Sequence, residues 1–125
     1  MYATTREVGD VLVLGLKGLI DGGPHVDEFQ DQVKRALGEG RTQILVDLKS
    51  VSYMRSQGVG MLIGAYTSVC NGGGEMKLMR PSGRVLSLLI ITRINLVMDI
   101  HETEAEAIES FGEATADGVT GAAPA

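Results

Sequence analysis

Apolar and polar positions along the chain switch between two rhythms, and the switches predict an alternating series of strands and helices. Residues 2–8 (YATTREV) are mixed and polar enough for an edge strand. Val11 to Leu16 (VLVLGL) is apolar on both faces, as a central strand covered from both sides would be. Gly9-Asp10 between them reads as a tight hairpin turn. After the punctuation GLIDGGPH (18–25), Val26, Phe29, Val33 and Leu37 recur at spacings of three and four. That spacing predicts a helix, ended by Gly38 and Gly40. ILVDL (44–48) reads as another buried strand. Val59, Leu62, Ile63, Tyr66, Val69 and Cys70 mark the apolar face of a second helix, which Asn71-Gly72-Gly73-Gly74 stops. Glu75 to Arg80 suits a strand with Met76 and Leu78 on its inner face.

Pro81 is placed to open a third helix at a first-turn position, where its missing N–H does no harm. Val85, Leu88, Leu89 and Thr92 would face inward from it, and residues 97–100 would form a short last strand. Thr103 and Glu106 have the spacing of a capping box ahead of a final helix that buries Ile108 and Phe111 and stops near Gly112. The order β-β-α-β-α-β-α-β-α predicts an α/β fold: a mixed, mostly parallel sheet of four to five strands packed with about four helices. Residues 1–112 then make one domain, and the small, polar, aperiodic stretch 113–125 is expected to be a disordered tail.

Composition narrows the functional classes. A chain of 125 residues fits one domain, and with three Tyr, two Phe and no Trp its core must be aliphatic. The formal net charge of −5 and the lack of any Lys/Arg cluster disfavour nucleic acid and anionic membrane surfaces as partners. Cys70 is the only cysteine, which rules out an internal disulfide and a thiolate cluster and is expected to be a buried small apolar residue. His25 and His101 are far apart with no zinc-type spacing, and no cofactor is implied. The N-terminus lacks the basic and apolar regions of a signal peptide, and no apolar run is long enough for a membrane span, so a cytoplasmic location is expected.

The stretch VSYMRSQGVGMLIGAY (51–66) carries the chemistry. An α/β-hydrolase elbow needs G-x-S-x-G, and here Met54 stands where the upstream glycine belongs. Asp47 and either histidine would have to complete a triad, and nothing in the sequence brings them to Ser56. Gly58, Gly60 and Gly64 give G-x-G-x-x-x-G, one residue too long for a dinucleotide fingerprint. A bare helix face that lets a neighbour come close explains Gly60 and Gly64 more simply. Ser56 reads structurally as the N-cap of the second helix. The same position offers a function, because a helix N-terminus tolerates a phosphate electrostatically. Met54, Met61, Met76 and Met79 are expected to fill the core, although Met54 beside the serine is also a candidate for docking; Ser82 and Ser87 are expected to be structural.

The segment ILVDLKSVSYMRSQGVGMLIGAY, with GLID before it and GGEMKLMRPSGRVLSLL after it, resembles the STAS domain of bacterial anti-sigma factor antagonists over about residues 5–112. The resemblance implies a STAS-type fold and a phosphorylation-controlled binding module without catalytic activity of its own. By the family pattern Ser56 is the phosphate acceptor, the partner is an anti-sigma factor that is itself a serine kinase, and a serine phosphatase resets the switch. Asp21 matches the acidic residue of the turn before the first helix. Asp47 matches the aspartate that ends a strand, for which a turn-forming role is the simpler expectation. The docking surface is expected to comprise Asp21, Met54, Arg55, Ser56, Gln57 and Gly58. Arg55 departs from the pattern, which has aspartate before the serine; this reverses the local charge. The alternative is a STAS adaptor subunit of a signalling scaffold or lipid transporter that keeps the fold and is never phosphorylated.

Overall fold

The structure, a computed structural model, describes residues 2–117. Strand β1 (Tyr2–Val8) turns at Gly9, with φ at 60°, into β2 (Val11–Ile20). Then follow α1 (Pro24–Gly38), β3 (Gln43–Met54), α2 (Ser56–Asn71), β4 (Glu75–Met79) and α3 (Gly83–Ile91). A single 3₁₀ turn (Ile94–Leu96), β5 (Ile100–His101) and α4 (Glu104–Asp117) complete the described chain. The five strands lie in sequence order, β1 antiparallel to β2 and the remaining pairs parallel. The mixed, mostly parallel α/β sheet expected from the alternation is therefore present.

Sequential order has a consequence for layering. Each parallel crossover turns with the same hand, so α1, α2 and α3 stack on one face of the sheet. Their core joins Phe29 and Val33 of α1, Leu62 and Ala65 of α2 and Val85 and Leu89 of α3 to Leu14, Ile44, Val46 and Leu78 of the sheet. The opposite face belongs to α4, whose Ala107 and Phe111 cover Val11, Val13, Leu45 and Met79. Both faces of the central strands are buried, which is why VLVLGL and ILVDL carry continuous apolar runs.

Several expectations need correction. Strand β3 runs on to Met54 rather than ending at Leu48, because two register shifts against β2 carry it past the polar pair Lys49-Ser50. Helix α3 starts at Gly83, with Ser82 as its cap accepting from the Val85 N–H at 3.4 Å, so Pro81 lies just outside it. On α2 the buried stripe is Gly58, Val59, Met61, Leu62, Ala65 and Val69. Ile63 is left 41% exposed, and Cys70 is exposed rather than buried. Thr92 is exposed as well, its hydroxyl donating back to the Leu88 carbonyl at 2.8 Å. Helix α4 continues to Asp117 instead of stopping near Gly112; the rest of the expected tail, 118–125, lies outside the described residues. The last strand is shorter and later than 97–100, since residues 94–96 form the 3₁₀ turn.

A polar network ties α4 down. Arg6 of β1 forms a forked ion pair with Glu104, its Nη1 reaching Oε2 at 3.1 Å, and Arg80 forms another with Asp47, Nη2 to Oδ2 at 2.6 Å. Thr103 accepts from the Glu106 N–H at 3.1 Å, half of the expected capping box. Lys77, which strand alternation left on the outer side of β4, is 6% exposed under α4. It donates to Ser110 at 2.9 Å and Asp99 at 3.2 Å, with the Phe111 ring centre 5.1 Å away. A buried ammonium persists only with such partners.

Hydrogen bonding from Arg6 holds the Glu104 carboxyl below its ordinary value of 4.5, against a smaller opposing effect of burial. A carboxylate lowered in the folded state stabilises it above the unfolded value, and that contribution is lost as the pH falls through the lowered one. Glu104→Gln should therefore cost less than about 1 kcal/mol at neutral pH, the pair being partly exposed. In urea unfolding the variant and the parent should converge in strong acid; a deficit that persists there would contradict the ion-pair origin.

Candidate functional site

The carboxyl ends of β2 and β3 meet at the start of α2, and this junction sets the position of Ser56. The Arg55 N–H donates to the Ile20 carbonyl at 2.8 Å, tying the entry of α2 to the last residue of β2. Arg55 has extended backbone angles, φ −96° and ψ 176°, and occupies the cap position. Its carbonyl accepts from the N–H groups of Gly58 (2.8 Å) and Val59 (3.2 Å), closing the first turn. Ser56 is thus the first helical residue and not the N-cap expected from sequence; α2 has no side-chain cap at all. The Ser56 hydroxyl touches only the Gln57 Oε1, at the long distance of 3.5 Å, and the residue is exposed. Capping leaves the hydroxyl no structural task, and the first-turn amides of Ser56 and Gln57 point outward from the helix end without intrahelical partners.

Gly58 makes the junction possible. A Cβ there would lie 2.5 Å from Met54 Cγ and 2.8 Å from Ile20 Cγ2, with the Ile20 carbonyl oxygen at 3.2 Å. Both those side chains are fully buried, so neither can step aside at low cost. Gly60, in contrast, has nothing within 4 Å of its missing Cβ, and only Gly64 of the proposed bare face meets a neighbour, the Gln30 amide at 3.0 Å.

Four of the six expected docking residues come together at the surface. Arg55, Ser56 and Gln57 are exposed, and the exposed Asp21 sits on the loop beside them. That loop turns through Gly22 and Gly23, at φ 99° and 82°. A Cβ on Gly22 would be 3.1 Å from the Gln57 Cβ, which shows how closely the loop follows the helix start. Met54 and Gly58 need correction: Met54 is 0% exposed and Gly58 is buried, so they shape the junction from beneath rather than meeting a partner. Asp47 lies on the α4 side of the sheet, mid-strand, held by Arg80 and by the Lys49 N–H (3.0 Å). Neither a turn nor the Ser56 surface contains it.

Features that local patterning did not reveal complete the site. An open groove of about 510 Å³ runs between the α2 start and α3, with Tyr53, Arg55, Ser56 and Gln57 on one side and Leu88 and Thr92 on the other. Arg84 stacks on the Tyr53 ring, 4.7 Å from its centre. Beside Thr92, Ile91 is 77% exposed, and Ile90, Leu96 and Val97 add further uncovered apolar surface. No sequence signal links Tyr53 to Arg84, since they meet only through the packing of α3 against β3. The hydrolase arrangement is not assembled: Asp47 is committed to Arg80, and the His101 ring lies 3.2 Å from Ser110. The His25 side chain is outside the described set.

Comparison with known proteins bears on this geometry. The family model of the STAS domain matches residues 2–107. The anti-sigma-B factor antagonist of Bacillus subtilis is 38% identical over 64 residues, 51% of this chain, and the match spans 59% of that relative's length. The anti-sigma F factor antagonist of Paenibacillus polymyxa is 28% identical over 99 residues, 78% of this chain and 84% of that protein. Among solved structures, the phosphorylated form of the Bacillus cell fate determinant SpoIIAA superposes with a TM-score of 0.68 at 25% identity, covering 87% of this chain and 98% of that one. The unphosphorylated anti-sigma factor antagonist SpoIIAA gives 0.65 at 24% identity, over 87% and 96% of the two chains.

Two glycine substitutions test the junction. Gly58→Ala should destabilise the fold by about 1–3 kcal/mol through overpacking. Gly60→Ala, with open space and ordinary helical angles, should stabilise it by about 0.5–1 kcal/mol. Equal effects in chemical denaturation would contradict the close approach at Gly58.

Proposed function

The chain belongs to the STAS-domain family, and we propose that within it this protein acts as a cytoplasmic anti-sigma factor antagonist switched by phosphorylation of Ser56. Unphosphorylated, the surface around Arg55, Ser56 and Gln57, with Asp21 beside it, docks on an anti-sigma factor that is also a serine kinase, and the sigma factor is released. The kinase brings the ATP and transfers its terminal phosphoryl group to the Ser56 oxygen; the added charge of about −2 makes the complex come apart. A serine phosphatase restores the docking form.

One observation carries this reading: the Ser56 hydroxyl is exposed at the first position of α2 and serves no capping role. A phosphate there meets the free amides and partial positive charge of the helix end, so its addition leaves the fold in place. Relatives named as antagonists of anti-sigma-B and anti-sigma F factors support the partner class. A related SpoIIAA solved in phosphorylated and unphosphorylated forms supports a modification that the fold accommodates.

The test uses an anti-sigma kinase from the same genome with ATP, followed by mass spectrometry. One phosphate should appear on Ser56, Ser56→Ala should bind the kinase and take up none, and Ser56→Asp should bind at least about tenfold more weakly. Equal binding of Ser56→Ala and Ser56→Asp would leave a passive STAS adaptor in place of the switch.

A further inference from the structure

The charges around the Ser56 groove are predominantly positive, opposite in sign to the protein as a whole. The formal net charge is −5. Yet among the described residues the only charged one lining the groove is Arg55, the only one next to a lining residue in sequence is Arg93, after Thr92, and the one stacked on the groove wall is Arg84. Arg6, Arg41, Arg80 and Lys77 are engaged in ion pairs elsewhere in the fold. Arg55, Arg84 and Arg93 enter no ion pair among the described residues. Asp21 is the sole carboxylate on the adjoining loop. Between these cations the groove lining is largely apolar, with Met54, Val59 and Leu88 beside Ser56, Gln57 and Thr92, and Ile91, next to Thr92 in sequence, is 77% exposed.

We propose that this groove docks a protein surface consisting of an aliphatic ridge flanked by carboxylates. The inference rests on the docking reading above and specifies the chemistry of the partner. The apolar floor selects a ridge, because a concave surface matches a convex one, and the unpaired guanidiniums select acidic flanks through charge-assisted hydrogen bonds. A flat anionic bilayer fits less well, since the cations surround a depression and the rest of the chain is acidic. The same charges explain how one phosphate suffices. Three arginines against one aspartate leave the rim positive, and a phosphoserine carrying about −2 beside Arg55 removes that excess and gives Arg55 a partner in its own chain. Acidic flanks then meet a neutral, already satisfied rim and are no longer held.

The probe is a pair of synthetic amphipathic helical peptides with the same Leu/Ile ridge, one flanked by Glu and one by Lys, titrated into the isotope-labelled full chain. Amide shifts at Ser56, Gln57, Val59, Leu88 and Thr92 should respond to the Glu peptide, which should bind at least about tenfold more tightly than the Lys peptide. Arg55→Glu and Arg84→Glu should each erase most of that preference, and Arg35→Glu on α1 should leave it intact, each variant's dispersed spectrum confirming its fold. Equal affinity for the two peptides, or no binding of either, would overturn the proposal. So would the same shifts produced by phosphatidylserine vesicles and not by the Glu peptide. Ser56→Asp separates the two readings: undiminished binding of the Glu peptide would remove the switch while leaving the acidic partner assigned.

Discussion

The junction of two strand ends with one helix start is the constraint from which the site follows. Ile20 closes β2, Met54 closes β3, and Gly58 lets the first turn of α2 rest directly on both. The backbone bond from Arg55 to Ile20 fixes the height of that turn. With no side chain drawn back to cap the helix, the side chains of Arg55, Ser56 and Gln57 face outward. A larger residue at Gly58 would lift the turn and move the hydroxyl with it. The rigid part of the site is therefore apolar and internal, while its chemistry is polar and external.

That separation suits a binding switch. The loop carrying Asp21 and the groove toward α3 are built around the helix start, so Ser56 is presented together with them. The core beneath, from Leu14 through Leu62 to Leu78, is sealed. A charge added at the helix end alters the surface potential without entering the interior. On the far side of the sheet, Arg6, Asp47, Arg80, Glu104 and Lys77 form polar contacts that dock α4, and these do not touch the groove.

The fold was largely legible because strands buried on both faces and amphipathic helices differ in rhythm. Val11–Leu16 and Ile44–Leu48 announced a covered parallel sheet, and the glycine-rich stops bounded α1 and α2. Legibility failed where tertiary contacts override local pattern. The register shifts of β3 hid its last residues behind Lys49 and Ser50. The second helix buries Met61 and Ala65 and leaves Ile63 and Cys70 exposed, an orientation set by how it lies on the sheet. Lys77, on the outer side of β4 by strand alternation, is buried by α4, a tertiary contact that no local spacing encodes. Within the site, Ser56 was identifiable from sequence, as were Arg55 and Gln57. The burial of Met54 and Gly58 and the meeting of Tyr53 with Arg84 depend on how α2 and α3 pack, which no local spacing encodes.

If Ser56 is the switch proposed above, one anion at residue 56 changes the surface and leaves the interior as it is. Comparing amide spectra and unfolding midpoints of the chain with and without phosphoserine at that position tests it most directly. The expected result is shifts confined to residues near 20–23, 53–59 and 84–93, with the spectra of Leu48, Leu62 and Leu78 unchanged and the midpoint unchanged or raised. Shifts spread through the core, or a clear loss of stability, would show that the hydroxyl is part of the fold's support and would contradict it.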